Sequence, residues 1–376
     1  MINTDEKKFW LVIMIVILGL YGFFMLAHPV MMDDGFQYEG FTESLAHGHL
    51  DFKLFYGFQG LSILSVPVFW LTGSKISIII TSLILFLLSI PLAYLTGREI
   101  YQDKKSGLIF VALILLTFYP YATMMRGFQE SALLFFILLI IYASARQKKW
   151  SPLAWSYGAL VKPFALTLFP LWLKKDSFSR KNVIWLVLAL VLGGVYLGAS
   201  YLQTGHLVNN AAINSYQGNF DIGNPPPLTE SFKPNIISFG RVAANLFIHT
   251  RKILISPLIV LLGFWALFWN KTFKWRKPII VSIILNILLV GSLSFSFSKY
   301  LLPTTVLLAL ASVPLVKKWG WPVQVLVLID SFFVAKPIFD YFGKSFWPNL
   351  GIFLIPLYLS LAIFIILKFK NLELNS

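Results

Sequence analysis

The chain contains no cysteine. That excludes disulfides, thiolate nucleophiles and cysteine-ligated metal sites. It also lacks a glycine-rich loop that would cradle nucleotide phosphates, an H-E-x-x-H pair and an EF-hand loop. Charge is scarce. Only 12% of the 376 residues are Asp, Glu, Lys or Arg, whereas a soluble domain carries about 25%. The formal net charge of +15 is not a nucleic-acid footprint. The basic residues fall in short clusters between apolar runs, as membrane-topology signals do.

What is abundant is hydrophobicity. Apolar residues make up 57% of the chain, and the mean hydropathy is +0.76. Apolar runs of about twenty residues recur from end to end, which specifies an all-α polytopic integral membrane protein. The sequence reads as a single transmembrane domain over 1–376, with no C-terminal soluble domain. The first run, Phe9 to Ala27, follows Lys7 and Lys8. It is long enough to span, and no small-residue cleavage pattern follows it, so it reads as a retained first helix.

Placing the basic clusters in the cytoplasm fixes the sides. Helix 9–27 exits, and 28–75 is a first extracytoplasmic loop with interfacial helices, one of them over 59–73. The span 76–97 returns to Arg98, Lys104 and Lys105. Spans 108–124 and 130–145 follow, ending at Arg146, Lys148 and Lys149. Residues 152–173 start and finish beside basic clusters, so they read as a hairpin broken at Lys162-Pro163. Broken helices occur where backbone lines a protein cavity; one ordinary span with an exception to the charge rule is the alternative. Helix 183–201 leads into a second large outer loop, 202–247, where three consecutive prolines at 225–227 forbid regular helix. Spans at 253–269, 278–296, 301–316, 321–338 and 348–367 complete about eleven or twelve crossings of the cell's inner (plasma) membrane. Both termini are cytoplasmic in this scheme.

Acids gather where the first helix ends, in MMDDGFQYEGFTESLAHGHLDF at 31–52. The segment GFTESLA suits a short amphipathic helix at the interface, with Phe41 and Leu45 on one face. Arg126 and Glu130, four apart in PYATMMRGFQE, share a face if helical and are spaced to pair. Lys162 stands in the apolar hairpin, and Lys299 lies outside by parity, where the charge rule disfavours it. Solvated turns, surface pairing and snorkelling are the plainer explanations for these residues taken singly. Together they have a chemical logic. A lipid-linked phosphate needs cations, and transfer of a sugar to a hydroxyl needs a carboxylate to take the proton.

The layout resembles the membrane glycosyltransferases of the C-type (GT-C) fold, such as the protein O-mannosyltransferases and the aminoarabinose transferase of lipid A. The resemblance covers most of the chain and is strongest from residue 9 to about 175. The first outer loop of that family has an acid, an aromatic and A-x-G, matched here by Asp33 or Asp34, Tyr38 and Ala46-Gly48. Its next motif is matched by Pro120, Arg126 and Glu130. Its lysine-proline hairpin is matched by Lys162-Pro163, and its late motif by Lys299-Tyr300-Leu301-Leu302-Pro303.

The resemblance implies an inverting glycosyltransferase with a polyprenyl-phosphate-linked sugar donor and a glycan, lipid or protein acceptor. It implies that Asp33 or Asp34 is the base or its close partner, with Glu130 in the catalytic group. Arg126, Lys162, Lys299 and Arg241 are then the phosphate-binding candidates. Tyr38, Glu39, Tyr216, Asp221 and Tyr300 are the candidates for sugar and acceptor contacts. Some relatives use a divalent cation, and the outer acids suit one. Many relatives also carry a C-terminal soluble domain; here the loop 202–247 is expected to shape the acceptor site. A transporter or flippase for lipid-linked glycans, or a non-catalytic assembly partner, is the alternative.

Overall fold

The computed structural model describes residues 34–53, 55, 57–73, 76–115, 127–173, 183–208, 236–247, 255–293 and 298–327. Spans 9–27 and 348–367, and most of 321–338, lie outside these residues. All regular structure among the described residues is helical.

Helix α1 (Asp34–Ala46) precedes α2 (Gly60–Thr72) and the long α3 (Ser77–Tyr101). Next come α4 (Lys104–Leu115), α5 (Glu130–Ala145) and α6 (Ser151–Val161). A 3-10 turn, Pro163–Leu168, runs into the single turn α7 (Phe169–Trp172). Helices α8 (Val183–Thr204), α9 (Ile236–Phe247), α10 (Pro257–Trp269) and α11 (Arg276–Ser292) follow. A second 3-10 turn, Ser298–Leu301, opens α12 (Leu302–Trp319).

Two differences from the sequence reading bear on the candidate residues. The amphipathic helix expected over Gly40 to Ala46 is described from Asp34 onward, which puts that carboxylate in the first helical turn, where the helix dipole favours an acid. The end of the long polar segment is also helical. Within α9, Phe239, Val242 and Leu246 recur at helical spacing; Val242 and Leu246 are buried while Arg241 is exposed. The triple proline that argued against helix lies well upstream of it.

The hairpin break has a local cause. A residue before proline is pushed out of the helical region, and Lys162 is extended at φ −151° and ψ 136°. Its N–H still closes α6 on the Gly158 carbonyl at 2.9 Å. The Trp155 indole N–H then donates to the Leu166 carbonyl at 3.1 Å, tying the two arms together.

Helices α3, α4, α5 and α12 pack around one apolar core that includes Phe86, Phe110, Ile137 and Leu308. Helix α8 sits at the rim. It is long and apolar enough to span a membrane, yet it leaves Val187, Leu190 and Val195 exposed, as a lipid-facing helix must. Backbones approach most closely where side chains vanish. A Cβ on Gly60 would stand 2.5 Å from the Val161 nitrogen and 2.7 Å from the Leu160 oxygen. That contact seats the start of α2 on the residues just before Lys162. Gly60→Ala is therefore expected to cost about 1–3 kcal/mol by overpacking. Gly194→Ala, with no described atom within 4 Å of the new Cβ, should be neutral or stabilising by up to about 1 kcal/mol. Thermal unfolding of both variants in detergent checks the contrast.

Charges separate to two ends of this bundle. Glu39, buried in α1, accepts from the Ser77 hydroxyl at 2.9 Å and the Ile78 N–H at 3.0 Å, capping α3 at one end. At the other end of α3, about 37 Å away by helical rise, Glu99 pairs with Arg146 at 3.2 Å and Asp103 with Lys317 at 2.7 Å.

Burial alone would raise the Asp103 pKa. Hydrogen bonds from Lys317 and from the hydroxyl and N–H of Ser106 outweigh it and hold the carboxyl below its ordinary value. A lowered carboxylate pKa stabilises the fold above the unfolded value, and that contribution is lost as pH falls through the folded one. Asp103→Asn should therefore flatten the acid limb of a stability-versus-pH curve, measured by thermal unfolding between pH 7 and pH 3.

Candidate functional site

At the Glu39 end of the bundle, four separate segments bring charged and aromatic side chains together. The first is the start of α1. The Asp34 carboxylate lies 3.7 Å from the Lys299 ammonium. At that separation the contact is an ion pair and not a hydrogen bond.

The second segment is the turn Gly127 to Gln129 before α5. Gly127 adopts φ +73°, a conformation that glycine reaches without penalty. The Gln129 amide donates to the Phe58 carbonyl at 2.5 Å and anchors the turn to the approach to α2. Lys299 then stands 5.2 Å over the Phe128 ring. Glu130 opens α5 and is completely buried.

The third segment is the Lys162-Pro163 break. Lys162 is buried and forms a hydrogen-bonded ion pair with Glu130. The fourth is the 3-10 turn Ser298–Leu301, which supplies Lys299 and Tyr300. Lys162 lies 5.9 Å from the Tyr300 ring, and Phe164 stacks on that ring at 4.3 Å. Tyr300 thus has the hairpin on one side and the Lys299 turn as its own backbone. Lys162 and the turn that carries Lys299 meet at the Tyr300 ring.

Exposure grades through the group. The Asp34 side chain is 31% exposed, Lys299 13%, Lys162 10% and Glu130 0%. Asp34 is thus the most exposed of the four and Glu130 the least, with Phe128 beside Lys299 and the Tyr300 ring, on which Phe164 stacks, beside Lys162. Two cations held near each other against their mutual repulsion suit a doubly charged oxyanion. A part-exposed carboxylate beside them suits a proton acceptor.

The structure therefore draws together Asp34, Glu130, Lys162, Lys299 and Tyr300 from the sequence-based candidates. Tyr38 is buried in the core, with its carbonyl accepting from the Thr42 hydroxyl at 2.8 Å. Glu39 is engaged at the start of α3, as described above. Arg241 is exposed on α9, a helix that packs on α11 and touches the Lys299 turn. Asp33, Arg126, Tyr216 and Asp221 lie outside the described residues. Spacing points to Arg126 as the partner of Glu130; within the described residues that partner is Lys162. Among those residues, no three His, Asp or Glu side chains gather as a metal ion would require.

One polar residue escaped the sequence reading. Asn286 is completely buried in the apolar α11. Its amide N–H donates to the Tyr300 carbonyl at 3.2 Å, and its oxygen accepts from the Thr304 hydroxyl at 2.8 Å. An asparagine in an apolar span is a signal in itself, because an unsatisfied amide is costly in the membrane interior.

No family model and no curated protein matches the sequence. The solved structure of ArnT from Cupriavidus metallidurans, bound to undecaprenyl phosphate, is similar to this chain. It superposes with a TM-score of 0.57 over 95% of this chain and 75% of that one, at 11% sequence identity. At that identity the likeness concerns the fold. The chain is an all-α membrane protein with a GT-C-like helical bundle.

Proposed function

We propose that the chain is an inverting glycosyltransferase that moves a sugar from a polyprenyl-phosphate donor to an acceptor hydroxyl at the extracytoplasmic face of the plasma membrane. The observation that carries this reading is the convergence of Asp34, Lys299, Lys162 and Glu130 from four segments at one end of the bundle. The bound undecaprenyl phosphate of the similar ArnT structure supports the choice of donor class. The lysine-rich end of the bundle at Lys317 and Arg146 takes the cytoplasmic side by the positive-inside rule, which leaves the site outside.

The donor phosphate sits between Lys162 and Lys299, and the sugar lies toward Asp34. The acceptor O–H approaches from the exposed side. Asp34 takes the hydroxyl proton as that oxygen bonds to the anomeric carbon. The bond from the anomeric carbon to the phosphate oxygen breaks, and its electron pair leaves on the phosphate. Lys162 and Lys299 stabilise that developing charge. Attack opposite to departure inverts the anomeric centre. Glu130 offsets the charge of Lys162 and fixes its ammonium. Asp33, Arg126, Tyr216, Asp221 and Arg241 remain candidates for the rest of the site, and a divalent cation remains a candidate partner for its acids.

The test uses purified protein in lipid nanodiscs with a panel of radiolabelled undecaprenyl-phosphate sugars and envelope glycan, lipid and peptide acceptors. Release of undecaprenyl phosphate with transfer of the label is the expected result. Movement of intact lipid-linked glycan across vesicles, with no cleavage of any donor, would overturn the enzyme reading.

A further inference from the structure

We propose that Asn286 is the positioning residue that sets where Lys299 and Tyr300 stand in the site. The inference rests on the function proposed above and extends it to a residue that touches neither substrate.

The Lys299-Tyr300 turn carries a large share of the site. It places one ammonium beside Asp34 and over Phe128, and one ring beneath Lys162 and against Phe164. A 3-10 turn has poorer hydrogen-bond geometry than an α-helix and is adjustable at its ends. Something must fix it. Asn286 reaches across from α11 and donates to the carbonyl of Tyr300 itself. Thr304, four residues further on in α12, donates to the Asn286 oxygen. The turn is thus clasped from both sides: its backbone by the amide, and the amide by the first turn of the helix that the turn opens.

The chemistry of α11 gives the contact its weight. From Arg276 to Ser292 the helix is otherwise apolar apart from its first residues and two serines. A leucine at 286 would match that surface, so helix packing alone does not call for an amide there. A buried amide is costly unless both its ends are bonded, and here both are. Among the described residues, the bonded ends reach the turn that carries Lys299 and the helix it begins. The buried amide therefore specifies the position of that turn, and a shift there moves the phosphate-binding ammonium relative to the proton acceptor. Displacement of a reacting group by about 1 Å can cost about 100-fold in rate.

The experiment compares wild type, Asn286→Leu, Thr304→Val, Lys299→Met and the double variant Asn286→Leu/Lys299→Met in nanodiscs. Donor turnover is read as kcat and KM, and binding of undecaprenyl phosphate is read separately. Asn286→Leu is expected to lower kcat by about 10- to 100-fold in protein that still folds, with a lowered thermal midpoint because the Tyr300 carbonyl and the Thr304 hydroxyl lose their partner. Thr304→Val, nearly isosteric, frees the amide oxygen only and should shift kcat in the same direction by less. In the Lys299→Met background, Asn286→Leu should cost clearly less than in wild type, because part of its effect runs through that ammonium. A purely structural role predicts multiplied losses there, and that result overturns the proposal. Wild-type kcat in the Asn286→Leu protein also overturns it. If that variant fails to fold, Thr304→Val alone decides: wild-type kcat there refutes the clasp. A wild-type protein that neither binds undecaprenyl phosphate nor consumes any donor removes the proposed function, and this inference falls with it.

Discussion

Asp34→Asn is expected to lower sugar transfer by about 10²- to 10⁴-fold, the span associated with loss of a general base, while binding of undecaprenyl phosphate is kept or improved. The two readouts move apart for a physical reason. Asn has the size of Asp and can occupy the same place in the first turn of α1, but it cannot take a proton from an attacking hydroxyl. Its neighbour Lys299 loses a carboxylate 3.7 Å away. A phosphate then no longer competes with that carboxylate for the ammonium. A part-exposed ion pair is worth at most about 1 kcal/mol, so the gain in affinity is bounded at about fivefold. Glu43→Gln, on the same helix but outside the group of charges, is the control and should change neither quantity. Turnover within threefold of wild type in the Asp34→Asn protein would remove Asp34 as the base. Loss of phosphate binding along with turnover would instead make the carboxylate a structural anchor of Lys299.

The sequence exposes this site unevenly. Local chemistry is easy to read. Proline after Lys162 forces the hairpin to break where it does, and the apolar runs place α2, α3, α5 and α8 within a few residues of where they stand. The charges of the site are legible because charge is rare in this chain, so each ion in an apolar stretch is conspicuous. Their pairing is not legible. Helical spacing points from Glu130 to Arg126, but the partner within the described residues is Lys162, 32 positions away. Only the folding of the hairpin against the start of α5 makes that contact. Glu39 is likewise anonymous among five nearby acids, until α1 packs on α3 and its carboxylate meets Ser77 and Ile78. Asn286 is read past for the opposite reason. A single amide barely disturbs a hydrophobic run, and its value depends on a turn that follows twelve residues later.

Lys162→Met and Glu130→Gln should each destabilise the protein, and the comparison with their double variant separates catalysis from folding. Breaking a buried ion pair leaves the survivor without its counter-charge and typically costs about 3–5 kcal/mol. Glu130 is fully buried and Lys162 nearly so, which leaves water little access to compensate. Lys162→Met should be the more damaging single change. It strands a carboxylate whose second oxygen, Oε2, already has no hydrogen-bond partner among the described residues. Glu130→Gln is milder, since the amide carbonyl can still accept from Lys162 while the charge goes unbalanced. The double variant removes both ions and leaves a neutral buried amide without its partner, which costs about 1–3 kcal/mol, less than a stranded charge. Its thermal midpoint should therefore lie above that of Lys162→Met. Turnover should not return, because the cation proposed to meet the departing phosphate is gone. Had Lys162 served only to neutralise Glu130, the double variant would regain activity with stability. Thermal unfolding and donor release, measured on the same four nanodisc samples, distinguish a lysine that works on the phosphate from one that merely balances a buried acid.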